Sequence, residues 1–458
     1  MFKKLVKNKT FYKQILALAI PIMIQNGITN FVNMLDNVMV GKIGTYQMTG
    51  VAVTNQLIFV FNLCIFGAIS GAGIFGAQFF GKNDVEGIRH TFRFKLVFCS
   101  ILCVFCILLF LFFGENLIGL YLKEGSAKAI SASLKFGKSY LLIMLIGLIP
   151  YTITQCYSST LRETGEAVLP MIAGVIAILI NLILNYILIF GKFGAPMLGA
   201  NGAAIATVFS RFVELLIVVI YTARHKNKNP FIIGAFHSLY IPVSLIKKIT
   251  VKGLPLMLNE TMWASGMATL NQCYSLRGID VVAANNICQT FFNVFSVAFM
   301  AVGVAIGILQ GQILGTGDIE KARNYSFKLI NFSVFVSLIF AVIYIFAANY
   351  IPEIYNTEPS IRLTAARLMQ ISAIAMPLDA YAHASYFTLR SGGKTAITLI
   401  FDSGFMWVIC VPTAFILSRF TSLSILPLFA IIQAINIIKC ILGYAFVKKG
   451  QWLKTIVN

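Results

Sequence analysis

Long apolar runs separated by short polar or glycine- and proline-rich breaks recur along all 458 residues of the chain. A helix needs about 20 apolar residues to cross the hydrocarbon core of a bilayer, and each run is long enough to supply them. The pattern therefore predicts twelve transmembrane helices, at residues 15–40, 51–80, 92–113, 137–160, 168–190, 197–222, 246–274, 283–312, 326–348, 361–388, 396–417 and 424–446.

The composition agrees with an all-α integral membrane protein. Hydrophobic residues make up 58% of the chain and charged residues only 11%, with a mean hydropathy of +0.84. A typical soluble domain is about one quarter charged. The twelve spans leave no room for a large aqueous domain, which argues against a receptor or a membrane-tethered enzyme.

The net charge of +20 is explained better by membrane topology than by nucleic acid, because no basic nucleic-acid motif is present. With a cytoplasmic N-terminus, and with residues near a span end counted with the segment that adjoins it, 24 of the 36 Lys and Arg residues lie in inward segments, 10 in outward segments and 2 in the interior of spans. The positive-inside rule then predicts a multi-pass protein of the cytoplasmic membrane with both termini in the cytoplasm. The polar start leads into the first span without a cleavage site, so that span is expected to act as the insertion signal.

All nine cysteines lie in apolar runs without a CxxC pair, which favours small buried hydrophobic residues over metal or redox chemistry. No cofactor is expected.

The second half of the chain repeats the first. Seven residues of the first half recur 234 positions later without gaps, and the segment AQFFGKNDVEGIR matches GQILGTGDIEKAR. The residues of the first half are Pro21, Gly44, Gln78, Gly81, Asp84, Glu86 and Arg89. Their counterparts are Pro255, Gly278, Gln312, Gly315, Asp318, Glu320 and Arg323. A second repeated segment pairs LRETGE at 161–166 with LRSGGK at 389–394.

The repeat predicts an N-terminal six-helix lobe at 1–222, a cytoplasmic linker at 223–245 and a C-terminal six-helix lobe at 246–458. Six spans per half is an even number, so both halves enter the membrane in the same direction and are related by a pseudo-two-fold axis along the membrane normal. Such parallel repeats are typical of transporters with a cavity at mid-membrane between the lobes.

Five of the sixteen acidic residues fall within predicted spans: Asp36, Glu214, Glu260, Asp379 and Asp402. A charge at the centre of a membrane helix costs about 2.5 to 3.5 kcal/mol on insertion scales, so these acids are candidates for ion or substrate pathways. Glu214 follows Arg211 by three residues, which favours a local ion pair.

Two further polar residues have open interpretations. Asp402 either lines a cavity or pairs with a cation at a helix end. His383 stands one turn after Asp379 and either tunes that acid or is merely packed.

Asp36 lies on the polar side of its helix and is expected to face protein or water rather than lipid. On that side lie Gln25, Thr29, Asn26, Asn30, Asn33 and Asn37. Its carboxylate is either a hydrogen-bonded lock between helices or an ion site.

The chain resembles the MATE (multidrug and toxic compound extrusion) family over nearly its whole length. The resemblance is carried by a proline and then Asp36 followed by VGKIG, by AQFFGKND, by NLILNYILIFG, by Pro255 with Glu260, and by MPLDAYAHASYFTLRSGG. It implies a secondary active antiporter that exports amphipathic, often cationic, drug-like compounds in exchange for Na⁺ or H⁺ by alternating access, and that works as a monomer.

The resemblance also assigns site residues. It implies cation or proton coupling at Asp36, Glu260 and Asp379, and Glu260 and Asp379 would be the ligands of Na⁺ if that ion is used. Supporting polar residues of the first lobe would be Gln25, Asn33, Asn181 and Asn185, and residues near the cavity would be Asp402, His383 and Asn259. Some members carry Asn and Asp four residues apart in the fifth helix; two amides stand here, which puts a relay between two aspartates in doubt.

Other classes are less favoured. Direct use of ATP would need a GxxxxGK[ST] loop, and a membrane-embedded hydrolase would need an HExxH or GxSxG motif. None of these motifs occurs in the sequence. The alternative transporter is a lipid-linked precursor flippase on a related repeated scaffold. A flippase would need a basic cavity for pyrophosphate, whereas five acids lie within the predicted spans against two bases, Arg211 and Lys439, once the bases near span ends are counted with the adjoining segments.

Overall fold

The computed structural model describes residues 9–122, 126–355 and 357–457. The side chain of Asn33, one of the predicted supporting residues, lies outside the described part of the chain. Twelve long helices are found in the described residues: α1 Lys9–Gly41, α2 Thr45–Gly81, α3 Val85–Tyr121, α4 Ala127–Glu163, α5 Val168–Phe190, α6 Ala200–Arg224, α7 Val243–Ser275, α8 Ile279–Gly315, α9 Ile319–Ala347, α10 Pro359–Ser391, α11 Thr395–Phe420 and α12 Ile425–Lys449.

Each predicted span corresponds to one of these helices, so the predicted all-α architecture is confirmed. Most of the helices are longer than the spans, because a helix continues into the polar interface after its apolar stretch ends. Ten of the helices in the described residues are long and apolar enough to cross a membrane. The other two are α7 and α10, which carry Glu260 and Asp379.

Helix α11 is irregular. Two π-helical turns, Ile400–Gly404 and Met406–Cys410, interrupt its α-helical geometry, and the first of them contains Asp402. Such turns are rare and are frequent at functional sites.

The repeat seen in the sequence is also present in the local structure. Asp84 and Asp318 both cap a helix N-terminus, accepting hydrogen bonds from the Gly87 and Lys321 amides at 2.8 and 2.9 Å. Gly44 and Gly278, which are also 234 positions apart, precede α2 and α8 with φ of 143° and 117°. A side chain at either glycine would strain the turn.

Helices α2 and α8 approach each other at their C-terminal ends through a reciprocal pair of contacts. A Cβ atom at Gly81 would collide with the backbone of Gln312, and one at Gly315 with the backbone of Gln78. Close packing, which small residues permit between membrane helices, therefore accounts for both glycines.

The chain forms two compact units. The first comprises Ile24–Gly76 and Asp84–Ile249, and the second comprises Thr250–Asn458 with Ala77–Asn83 and the described part of Met1–Met23. The lobe boundaries at 1–222 and 246–458 stay predictions.

In the first unit, the segment that follows α6 packs on α3. Phe231 is 1% exposed and stacks edge-on against Phe92, with ring centroids 5.3 Å apart. The Arg93 guanidinium donates to the carbonyl oxygens of Gly234 and Ala235 at 2.7 and 2.8 Å. The predicted linker is thus tied to its own unit by the Phe92 and Arg93 side chains of α3.

In the second unit, the segment after α12 is held by the end of α2. The Gln78 amide donates to the carbonyl oxygens of Ser391 and Lys454 at 3.0 and 3.2 Å, and its oxygen accepts from the Ile456 amide at 2.8 Å. Trp452 is fully buried, with its backbone against Gly392. The C-terminal residues are therefore an integral part of this unit.

We expect Trp452→Ala to lower the free energy of unfolding by about 3 to 5 kcal/mol, because it leaves a cavity where a large side chain was buried. Thermal unfolding of the purified protein in detergent measures the effect, and Gln451→Ala at the exposed neighbouring position is the control. Equal unfolding temperatures for the two variants would show that this segment adds nothing to the stability of the unit.

Candidate functional site

In the first unit, the Asp36 carboxylate lies against one face of α5. The Asn185 amide donates to Asp36 Oδ1 at 2.7 Å. With the Asn181 amide turned so that its oxygen accepts from Thr207, its nitrogen lies 3.2 Å from Asp36 Oδ2. Asn181 and Asn185 are one helical turn apart, so α5 offers two amides to a single acid of α1.

Gln25 is placed apart from this acid. Its side-chain oxygen accepts a hydrogen bond from Arg162 Nη2 at 2.6 Å, and a Cβ atom at Gly174 would lie 2.7 Å from Gln25 Nε2. Gln25 therefore positions the arginine at the end of α4 and contacts α5 through the opening left by a glycine.

The local ion pair predicted between Arg211 and Glu214 is not among the salt bridges of the residues that the structure describes. Arg211 turns instead toward α4, where Nη1 donates to the Gly147 carbonyl oxygen at 3.2 Å and the guanidinium lies 5.0 Å from the Tyr151 ring centroid. The Tyr151 ring and a backbone carbonyl of α4 give the guanidinium partners that sequence spacing along α6 does not show.

In the second unit, Asp402 forms a partly buried ion pair. Lys439 Nζ donates to Asp402 Oδ1 at 2.6 Å, and the two side chains are 15% and 19% exposed. The Asn259 amide donates to Asp402 Oδ2 at 3.0 Å. Asp402 therefore has a cation as its partner, but this cation lies in the middle of α12 rather than at the helix end that the sequence interpretation named.

Asp379 lies against the same helix, one turn earlier. The Asn436 amide donates to Asp379 Oδ1 at 2.9 Å. Glu260, which follows Asn259 on α7, has no salt bridge among the described residues. Of the three acids that lie in predicted spans of this unit, Glu260 and Asp379 therefore have no protein cation bonded to them within the part of the chain that the structure describes.

The two neighbouring polar residues have packing contacts. Asn259 Oδ1 accepts from the Ser403 hydroxyl at 2.8 Å, which joins α7 to the π-helical turn of α11. His383 packs among aromatic rings, with its centroid 4.9 Å from that of Phe387 and 6.0 Å from that of Phe299. These contacts agree with the interpretation of His383 as a packed histidine.

Two partly buried cations that contact predicted site residues were not themselves predicted as site residues. Lys439 was counted only as a base within a span, although a lysine in an apolar helix signals a nearby carboxylate. Arg162 was counted as an inward topological charge, yet it and Arg390 occupy the same position of the repeated LRETGE and LRSGGK segments. The shared position of these two arginines in the repeat could have marked Arg162 as a candidate site residue.

The arrangement suits the binding of small monovalent cations. Carboxylates held by amide donors keep lone pairs free for a proton or for Na⁺, both of which neutralise the acid. No group of three or more His, Cys, Asp and Glu side chains suited to a metal ion is found in the described ranges. An Na⁺ site here would therefore need amide, hydroxyl or carbonyl oxygens beside its acids.

Comparison with known proteins gives consistent results. The model of the MatE family matches residues 21–187 and 255–416. A probable multidrug resistance protein NorM from Thermotoga maritima is 26% identical over 456 residues, which cover 97% of this chain and 94% of that protein.

Solved structures are similar over nearly the whole length. One is an outward-facing conformation of a multidrug resistance MATE family transporter of the MOP superfamily, with a TM-score of 0.86 at 19% identity over 96% of both chains. A crystal structure of MATE in complex with MaL6 gives the same TM-score, identity and coverage. The chain therefore shares the helical fold of these solved MATE structures.

Proposed function

Because the chain belongs to the MATE family, we propose that it is a secondary active multidrug exporter that exchanges amphipathic, often cationic compounds for Na⁺ or H⁺. The observation that carries the proposal is the set of acids on membrane helices, of which Asp36 and Asp379 are bonded to amides. Acids persist inside membrane proteins at a free-energy cost, and they are used there in ion and proton pathways.

The substrate class rests on the relatives. The Thermotoga maritima protein is named as a probable multidrug resistance protein, and a solved neighbour is described as a multidrug resistance transporter. The compounds exported by this chain would be drug-like molecules. We propose that it acts as a monomer in the cytoplasmic membrane with both termini in the cytoplasm.

The coupling ion would act by changing the charge of the acids. An ion entering from outside neutralises a carboxylate and thereby favours one conformation over the other. If that conformation binds the exported compound more weakly, the two binding events are coupled, and reciprocally so. Release of the ion inside would restore the charge and return the transporter to its starting state.

We assign coupling to Asp36 in the first unit, with Asn181 and Asn185 as its supporting amides. In the second unit we assign it to Glu260 and Asp379, which would also be the carboxylate ligands of Na⁺. Gln25 is bonded instead to Arg162, and Asn259 to Asp402.

The test is transport by the intact chain in proteoliposomes, with a Na⁺ gradient and a pH gradient imposed in separate experiments. Uptake or loss of ethidium, a fluorescent organic cation, is measured by its fluorescence. We expect at least one gradient to drive ethidium against its own concentration gradient. Absence of transport with both gradients, together with translocation of a fluorescent lipid-linked pyrophosphate, would favour the flippase instead.

A further inference from the structure

One turn of α12 presents two different donors to two different acids. Asn436 donates an amide to Asp379 on α10, and Lys439, three residues later, donates an ammonium to Asp402 on α11. The two acids thus contact neighbouring residues of α12 that differ in charge. Asp379 is bonded to a neutral amide, and Asp402 to a positively charged ammonium.

The Lys439 ammonium is held firmly in place. Its nitrogen lies 2.6 Å from Asp402 Oδ1 and within 5.6 and 5.9 Å of the ring centroids of Phe401 and Phe405. Asn259 fixes the other carboxylate oxygen at 3.0 Å. Both oxygens of this acid are therefore occupied by protein donors.

The location of Asp402 also separates it from an ordinary structural ion pair. It lies within the π-helical turn Ile400–Gly404, and the next residue, Ser403, is hydrogen bonded to Asn259 on α7. The turn therefore places the acid between α7 and α12, next to the helix that carries Glu260.

Several other charged or titratable side chains interact electrostatically with the Asp402–Lys439 pair or with its neighbours. They are Glu260 on α7, Asp379, His383, Tyr386 and Arg390 on α10, Cys410 on α11, and Cys440 on α12. The Arg390 guanidinium lies 5.1 Å from the Phe387 ring centroid and is not among the salt-bridge partners of Asp402 in the described residues. Lys439 is the base that the structure places in direct contact with this acid.

We propose that Lys439 is a tethered cation that takes the place of one coupling ion in the second unit, leaving Glu260 and Asp379 to bind a monovalent cation. The inference rests on the proposed coupling function of those two acids. The ammonium keeps Asp402 neutralised throughout the cycle, so this acid does not exchange ions. Lys439 is thus a positioning and specificity residue that sets how many mobile cations the unit accepts.

Removing the charge of Lys439 and removing that of Asp402 should change the Na⁺ affinity in opposite directions. Lys439→Met adds one unit of net negative charge to the cluster, and we expect Na⁺ to bind about tenfold more tightly or better. Asp402→Asn leaves the ammonium uncompensated, and we expect Na⁺ to bind about tenfold more weakly. The double variant restores the original net charge, and we expect an affinity within about threefold of that of the intact chain.

Equilibrium binding of radioactive Na⁺ to the full chain in detergent measures these affinities without requiring transport. Lys439→Arg keeps the positive charge and is the matched control, with an affinity expected to equal that of the intact chain. Lys439→Gln replaces the methionine variant if that variant does not fold. Binding is compared only among variants with a single symmetric peak in size-exclusion chromatography.

The outcomes separate the alternatives. Unchanged Na⁺ affinity in the folded Lys439→Met or Lys439→Gln variant overturns the inference, and loss of thermal stability alone would then assign the pair a structural role. Failure of ethidium transport by the intact chain would instead count against the proposed function. That result leaves the change in Na⁺ affinity measurable, so the two failures are distinguishable.

Discussion

Asparagine in place of Asp36 is expected to reduce ion-driven export of ethidium by about tenfold or more, because an amide cannot exchange a charge with a coupling ion. The substitution keeps the shape of the side chain. Its remaining carbonyl oxygen can still accept the hydrogen bond that Asn185 donates to Asp36 Oδ1 at 2.7 Å. Folding should therefore persist, and the defect should lie in coupling.

The measurement is the initial rate of ethidium transport in proteoliposomes under the gradient that drives the intact chain. Glu115→Gln is the matched control, since it also turns an acid into an amide in the same unit. Glu115 is 52% exposed and pairs with Lys138, itself 51% exposed. A rate for Asp36→Asn equal to that of this control would remove Asp36 from the coupling mechanism and leave it as a lock between α1 and α5.

Much of the fold could be predicted from the sequence, because both the hydropathy pattern and the internal repeat extend over long stretches of residues. The equivalence of Asp84 and Asp318 predicted the same cap at two helix starts, and both caps are present. Helix ends were harder. Helix α4 begins at Ala127 rather than at 137, because its polar first turns differ little from a loop in hydropathy.

The candidate site could likewise be predicted only in part from the sequence. Asn181 and Asn185 could be assigned to one face of α5 from their spacing alone, and resemblance to a family supplied their partner, Asp36. The pairing of Asp402 with Lys439 joins two helices across a π-helical turn. The rotation that such a turn introduces leaves no mark in the pattern of apolar residues, so the partner of Asp402 could not be chosen from the sequence.

Lys95 shows a further limit of the sequence. It lies near the start of α3, where the positive-inside rule treats a lysine as an exposed topological charge. In the structure its side chain is 0% exposed. Its burial depends on α4 and α2, which supply an acid and two glycines at positions that only the packed helices bring together.

The contacts of Lys95 are those of a buried, compensated charge. Its ammonium donates to both oxygens of Glu163 at 2.7 and 2.6 Å, and to the hydroxyls of Ser159 and Thr160 at 3.1 Å. The Glu163 side chain is 5% exposed. A Cβ atom at Gly73 would lie 2.7 Å from Glu163 Oε1, so this glycine of α2 leaves space for the acid.

Methionine in place of Lys95 is therefore expected to lower the free energy of unfolding by about 3 to 5 kcal/mol, because the buried acid loses the ammonium that compensates its charge. Thermal unfolding in detergent measures the effect. Lys138→Met, in the exposed pair with Glu115, should change the stability by less than about 1 kcal/mol.

The double variant Lys95→Met with Glu163→Gln separates charge compensation from packing. It removes both charges and should recover most of the loss, since a buried pair can be replaced at little cost when neither charge remains. Recovery would show that the acid is tolerated between α2, α3 and α4 because of the lysine. A double variant as unstable as Lys95→Met would instead attribute the loss to the packing of the lysine side chain, and the ion pair would then add little to the stability of the first unit.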